Sequence, residues 1–137
     1  MRKYTKIIAV DFDGTLFTDK WPEIGTPIWP VINRAKREQA AGAHIILWTC
    51  REGEDNEKAV EACMNCGLIP DAVNANSPEH IAQFSNDPRK VGADEYWDDR
   101  SKRPDEVAGK FRVPSLEEWM ARYKIPQKDS DSNYYRN

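Results

Sequence analysis

Four aspartates in this sequence follow closely on short apolar runs. Asp11 and Asp13 come after Ile7–Val10, and Asp98 and Asp99 come after a second run that ends in a tryptophan. Clustered carboxylates repel one another, so either some of them bind protons or a cation lies among them. Oxygen ligands at this density favour a hard ion, and Mg2+ binds through one or two carboxylates, water and substrate phosphate. The residue types therefore indicate Mg2+ and phosphate chemistry if the fold brings the two pairs together.

Two further side chains fit this chemistry. Thr49 follows a third apolar run, and Lys90 precedes the run that leads to Asp98. A threonine hydroxyl and a lysine ammonium can both bind phosphoryl oxygens, the lysine as a point charge. Phosphoryl transfer needs mainly such positioning and charge neutralisation from the protein. Arg89 and Lys102 are other cations nearby, and a charged side chain is usually only solvated.

The elements that must position these residues alternate between strands and helices. Strands are predicted for four apolar runs, at 6–11, 43–48, 72–74 and 94–97. Helices are predicted for three amphipathic segments, at 31–41, 54–66 and 115–123. The windows 15–28 and 75–88 are predicted as loops, the second with a turn of helix at 80–84. This alternation predicts a parallel sheet, whose carboxyl edge is where ligands bind.

Length and charge narrow the class of protein. The chain has 137 residues, a net charge of −3 and a pI of about 5.4. We predict a single domain over 1–126 and a polar tail at 127–137. The acidic balance argues against a nucleic-acid-binding module, although a nucleic-acid end could be a substrate. The first apolar run is too short for a signal peptide or a membrane span, so we expect a cytoplasmic protein without membrane partners.

The cysteines do not form a strong metal motif. Cys63 and Cys66 are spaced as half of a zinc site, but the sequence offers no second pair of ligands. They are better interpreted as buried thiols that act as small hydrophobic side chains.

The order of the motifs resembles that of a known superfamily. The segment 11–16, DFDGTL after an apolar strand, resembles the first motif of the haloacid dehalogenase-like superfamily. Thr49 resembles the second motif, Lys90 the third and Asp98-Asp99 the fourth, in the same order over residues 6–99. The resemblance implies an α/β fold, a three-layer Rossmann-like domain with a central parallel sheet flanked by helices. Both insertion windows are short, so no cap domain is expected.

The resemblance also implies roles. Asp11 would be the nucleophile that forms an aspartyl-phosphate, and Asp13 the general acid and base. Mg2+ would be held by the Asp11 side chain, the Asp13 backbone carbonyl and Asp98, with support from Asp99, or with Asp98 and Asp99 in exchanged roles. The phosphoryl oxygens would be bound by three groups: Thr49, Lys90 and loop amides near Gly14.

These roles predict a Mg2+-dependent phosphomonoester hydrolase. Its substrate would be a nucleotide, a sugar phosphate or a phosphorylated macromolecular end, and an open site without a cap suits a large substrate. The sequence is compatible with either a monomer or a homo-oligomer. The alternative is a catalytically weak regulatory module that binds Mg2+ and phosphate on the same fold. A response-regulator receiver domain fits less well. Receivers carry their acidic pair on the first strand and are phosphorylated on the third, whereas here the DxD segment comes first and the acidic pair Asp98-Asp99 comes last. Arg51, after Thr49, either orients substrate or belongs to an ordinary charged loop.

Overall fold

The computed structural model describes residues 4–109 and 115–122. The chain divides into two compact units, Met1–Ser101 and Lys102–Asn137. The predicted tail at 127–137 lies outside the described residues, as does the last residue of the helix predicted at 115–123.

The first unit contains a four-stranded, all-parallel sheet. The strands are β1 (Ile7–Val10), β2 (His44–Leu47), β3 (Ala72–Val73) and β4 (Glu95–Trp97). Their order in the sheet is β3-β2-β1-β4, which places β1 between two partners. The four predicted strands and their parallel arrangement are therefore confirmed.

Helices connect the strands. The first unit contains α1 (Trp29–Ala40), α2 (Gly53–Asn65) and α3 (Pro78–Phe84). Short helices α4 (Pro104–Ala108) and α5 (Leu116–Arg122) lie in the second unit. The turn of helix predicted at 80–84 is part of α3, which begins two residues earlier than predicted. Pro78 is its first residue, and the Ser77 hydroxyl caps it by accepting from the His80 amide at 3.3 Å. Helix α4 was not predicted, although it also begins at a proline followed by two acidic residues.

Both faces of the sheet are packed. Alternate residues of β1 and β2 point to opposite sides, as in any strand. On one side the buried cluster joins strand residues to α1 and α2, and its members include Ile8, Val10, Ile45, Leu47, Ile32, Ala35, Ala59 and Cys63. On the other side Ala9 and Ile46 pack with Val91 from the segment before β4. Each fully buried aliphatic side chain stabilises the fold by about 1.5–3 kcal/mol. Burial also raises the pKa of the Cys63 thiol to about 12, as expected for a thiol that serves only in packing.

The strand register aligns the carboxyl ends of all four strands. Val10 pairs with Leu47 and with Trp97, and Leu47 pairs with Val73. The residues that follow these four therefore emerge along one edge of the sheet. The predicted fold class is confirmed: the chain is an α/β protein with a parallel sheet flanked by helices, consistent with a Rossmann-like three-layer fold. Window 15–28 is a loop that ends directly before α1, and window 75–88 contains the short helix α3, so neither holds an inserted domain. Within the described part of the chain, no helix has the length and apolar character that crossing a membrane requires.

Candidate functional site

A cavity of about 390 Å³ opens at the carboxyl edge of the sheet. Its walls come from the ends of all four strands and from the loop before β4. The lining residues are Asp11, Trp48, Thr49, Cys50, Asn74, Arg89 and Asp98. A slightly larger cavity, about 430 Å³, lies beside α3 and the start of β1, but it contains none of the predicted site residues. The chemistry of the lining selects the first cavity as the candidate site.

Three carboxylates meet at this edge. Asp11, Asp98 and Asp99 each offer an oxygen atom, and these atoms lie within 4.8 Å of one another. Asp11 is half-buried, while Asp98 and Asp99 are exposed. Two oxygens on opposite sides of a bound Mg2+ are about 4.2 Å apart, because each Mg–O distance is about 2.1 Å. The donor set and its spacing therefore fit a Mg2+ ion after a small adjustment of the side chains.

The surroundings of Asp11 disfavour the ionised form of its carboxyl group. Burial raises the pKa of Asp11 from 3.8 to about 7, and the neighbouring Asp98 carboxylate adds to this rise. Two hydrogen bonds lower the pKa of Asp11 in part, one from the Phe12 backbone amide and one from the Thr15 hydroxyl, which donates to Asp11 Oδ2 at 3.3 Å. A nearby positive charge would stabilise the ionised form of such a carboxyl group and lower its pKa.

Gly14 brings the two acidic segments close together. It adopts a positive φ of +87°, and a Cβ atom added there would lie 2.4 Å from Asp99 Oδ2. Only glycine allows both the backbone conformation and this approach. The Asp99 amide also donates to the Thr15 hydroxyl at 3.1 Å. The loop after β1 and the loop after β4 are thus fitted to each other around Asp11.

Thr49 lies at the same edge, as predicted. The Thr49 amide donates to Asn74 Oδ1 at 2.8 Å, and the Thr49 hydroxyl accepts from the Arg51 amide at 3.1 Å. Asn74 has a positive φ of 51°, which asparagine tolerates better than most residues. It follows β3 and also lines the cavity, so it is a site residue that the sequence analysis did not identify.

The structure does not bring Lys90 to the cavity. Its ammonium lies 5.7 Å from the centroid of the Tyr96 ring, whereas the neighbouring Arg89 lines the cavity. The loop that carries both cations is held by buried Asn76, whose side chain donates to Asp87 Oδ1 at 2.8 Å and accepts from the Gly92 amide at 2.6 Å. Of these two neighbouring cations, Arg89 is the one that lines the cavity.

Asp13 points to another partner. Both of its carboxylate oxygens accept hydrogen bonds from Arg51, from Nε and Nη2, at 2.8 Å each. Asp13 is not a member of the carboxylate cluster. The pKa of Arg51 is raised, chiefly by this hydrogen-bonded pair. The prediction that the Asp13 backbone carbonyl binds Mg2+ stays a prediction.

The fold and the site define an α/β protein with a carboxylate cluster and a facing arginine at the carboxyl edge of a parallel sheet. A solved structure of a conserved protein from Bacteroides thetaiotaomicron is 35% identical to this chain, with a TM-score of 0.63. The match covers 88% of this chain and 93% of that chain. The two proteins therefore belong to one family. No family model and no curated protein matches the chain.

Proposed function

We propose that this protein is a Mg2+-dependent phosphomonoester hydrolase of the haloacid dehalogenase-like superfamily, acting in the cytoplasm. The observation that carries the proposal is the meeting of Asp11, Asp98 and Asp99 within 4.8 Å at the carboxyl edge of the sheet. This is the edge where ligands bind in open α/β sheets. The same cavity is lined by a threonine and an arginine, which are suited to phosphoryl oxygens.

Each residue has a role in the proposed reaction. An Asp11 oxygen attacks phosphorus, the bond from phosphorus to the ester oxygen breaks, and Asp13 donates a proton to that leaving oxygen. Water then attacks the aspartyl-phosphate, Asp13 takes a proton from the water, and inorganic phosphate leaves with Asp11 restored. Asp11 and Asp98, with Asp99 in support, would hold Mg2+, which would supply positive charge to offset the charge of the phosphoryl group.

The phosphate-binding cation in this proposal is Arg89. It lines the cavity with Thr49 and Asp11, whereas Lys90 lies against Tyr96. An arginine can donate two parallel hydrogen bonds to one phosphoryl group. Loop amides near Gly14 complete the set of donors.

The substrate is a phosphate ester whose alcohol portion extends out of an open site. Neither insertion window contains a domain that could cover the cavity. A nucleotide, a sugar phosphate or a phosphorylated macromolecular end meets this description, and a large substrate can itself exclude water from the site.

The test is phosphate release from p-nitrophenyl phosphate and a panel of phosphate esters, with and without Mg2+. We expect turnover that requires Mg2+ and that Asp11→Asn abolishes. Glu61→Gln is the matched control, because it makes the same carboxylate-to-amide change at an exposed position of α2. Equal turnover by Asp11→Asn and wild type would refute the proposal.

One observation favours the alternative, a regulatory module that binds Mg2+ and phosphate with little turnover. The proposed proton donor, Asp13, has both oxygens bonded to Arg51. In that case Mg2+ and the phosphate analogue vanadate would bind to the wild-type protein and fail to bind to Asp11→Asn, while no ester in the panel would be hydrolysed.

A further inference from the structure

Arg51 is buried and almost saturated with hydrogen bonds. Only 2% of its surface is exposed. In addition to its two bonds to Asp13, it donates from Nη1 to the Pro22 carbonyl at 2.9 Å and from Nη2 to the Glu23 carbonyl at 2.7 Å. Its guanidinium carbon lies 5.2 Å from the centroid of the Phe12 ring. Arginine is rarely buried without such pairing, so this side chain is fixed in one geometry.

The two carbonyls belong to a closed loop, which we call the flap (residues 18–26). Its ends are joined where the Thr18 amide donates to the Thr26 carbonyl at 2.8 Å. The Thr26 amide donates to the Thr18 hydroxyl at 2.8 Å, which strengthens the same closure. The flap comes directly after the segment that carries Asp11 and Asp13. A single guanidinium therefore joins the middle of the flap to the carboxylate of Asp13.

We propose that Arg51 is a positioning residue that couples the orientation of the Asp13 carboxylate to the position of the flap. The effect on turnover rests on the proposed function, while the coupling itself does not. If the flap moved alone, Arg51 would lose two carbonyl acceptors and keep unsatisfied donors in a buried site, which is costly. If Asp13 turned away alone, a buried charge would lose its only salt-bridge partner among the described residues. The flap, Arg51 and Asp13 consequently move together.

This coupling gives the flap a function in the proposed reaction. Asp13 must reach the leaving oxygen, and a general acid acts only within hydrogen-bond distance of its target. A substrate that contacts the flap would shift Pro22 and Glu23, and through Arg51 it would set the direction of the Asp13 carboxylate. Proton transfer would then depend on a correctly seated substrate.

The first experiment needs no turnover. Hydrogen exchange of the Thr18 and Thr26 amides reports closure of the flap. We expect Asp13→Asn to speed their exchange about tenfold. Asp13 orients Arg51, and Arg51 stabilises the closed flap through its bonds to the Pro22 and Glu23 carbonyls. Glu61→Gln is the control, because it makes the same carboxylate-to-amide change at an exposed position of α2, and it should leave the exchange unchanged. Equal exchange in Asp13→Asn and wild type would overturn the coupling.

The second experiment separates positioning from folding. Arg51→Lys keeps the charge but cannot bond both Asp13 oxygens and both carbonyls. An alkyl phosphate needs a proton on its leaving oxygen, whereas p-nitrophenolate leaves without one. We expect Arg51→Lys to lower kcat/KM for the alkyl ester about tenfold more than for p-nitrophenyl phosphate. Arg37→Lys, an exposed position of α1, is the control.

The outcomes are distinguishable. Equal losses with both esters in a folded Arg51→Lys protein would assign Arg51 a purely structural role, and a gain in activity would make it an inhibitor of Asp13. Either result overturns the proposal. If wild type hydrolyses no ester, the proposed function fails, and the coupling is decided by the exchange of the flap amides alone.

Discussion

Replacement of Asp11 by asparagine should stabilise the protein while it removes activity. The Asp11 carboxylate is half-buried beside two other carboxylates, and its pKa is raised from 3.8 to about 7 by burial and by Asp98. At pH 8 it is ionised in a site that disfavours its charge. Asparagine has nearly the same shape without that charge.

The magnitude follows from the pKa. A tenfold change in proton affinity is worth about 1.4 kcal/mol, so the rise to about 7 costs the folded protein about 4 kcal/mol at most at pH 8. Solvent screens the exposed Asp98 and Asp99, and we therefore expect a gain of about 1–2 kcal/mol for Asp11→Asn. This corresponds to an increase in Tm of about 3–8 °C for a domain of this size.

The pH dependence gives the assay its control. A carboxyl group whose pKa is raised on folding costs stability as the pH rises from its unfolded pKa to its folded one. The gain from Asp11→Asn should hence be small at pH 4, grow towards pH 7 and stay constant above it. Thermal unfolding without Mg2+ at pH 4 and pH 8 measures this, and added Mg2+ should raise the Tm of wild type only. An Asp11→Asn protein that is less stable than wild type at pH 8 would refute the reasoning.

Three other predictions concern the loops around the cavity. Arg89→Met should raise the KM for p-nitrophenyl phosphate about tenfold, whereas Lys90→Met, measured beside it, should change it little. Gly14→Ala should lower the free energy of unfolding by about 2–4 kcal/mol and prevent stabilisation by Mg2+, because its Cβ would meet Asp99; Gly42→Ala has a similar positive φ but open space, and should cost only about 1 kcal/mol. Asn76→Ala should cost about 2 kcal/mol in chemical denaturation and also raise the KM, because Asn76 holds the loop that carries Arg89.

The sequence was sufficient for the parallel sheet. The apolar runs that became β1 and β2 are short, β-branched and bounded by charged or polar residues, which leaves few other interpretations. Helices α3 and α4 were harder to predict, because each is short and has no buried residue, so its sequence lacks a hydrophobic period. Their signals were local ones, a proline at the start of each and, for α3, a serine cap.

The sequence predicted which residues lie at the carboxyl edge of the sheet, but not which side chains contact one another there. Motif order and strand ends brought Asp11, Asp98 and Thr49 together correctly. The choice between Arg89 and Lys90 depends on the direction of one side chain in an irregular loop, which no pattern encodes. The burial of Arg51 was equally hidden, since its partners Asp13, Pro22 and Glu23 are distant in sequence, and a charged residue in a loop is normally exposed.

The central place of β1 in the sheet also affects how the chain is made. β1 is the first strand of the sheet to be synthesised, yet one of its edges pairs only with β4, which comes last. At about 5–20 residues per second, the ribosome needs about 4–17 s between the two strands. During that time an apolar strand has an open edge that could pair with another chain. Lys6 and Asp11 bound this strand at either end, and charged residues in these positions disfavour aggregation during synthesis.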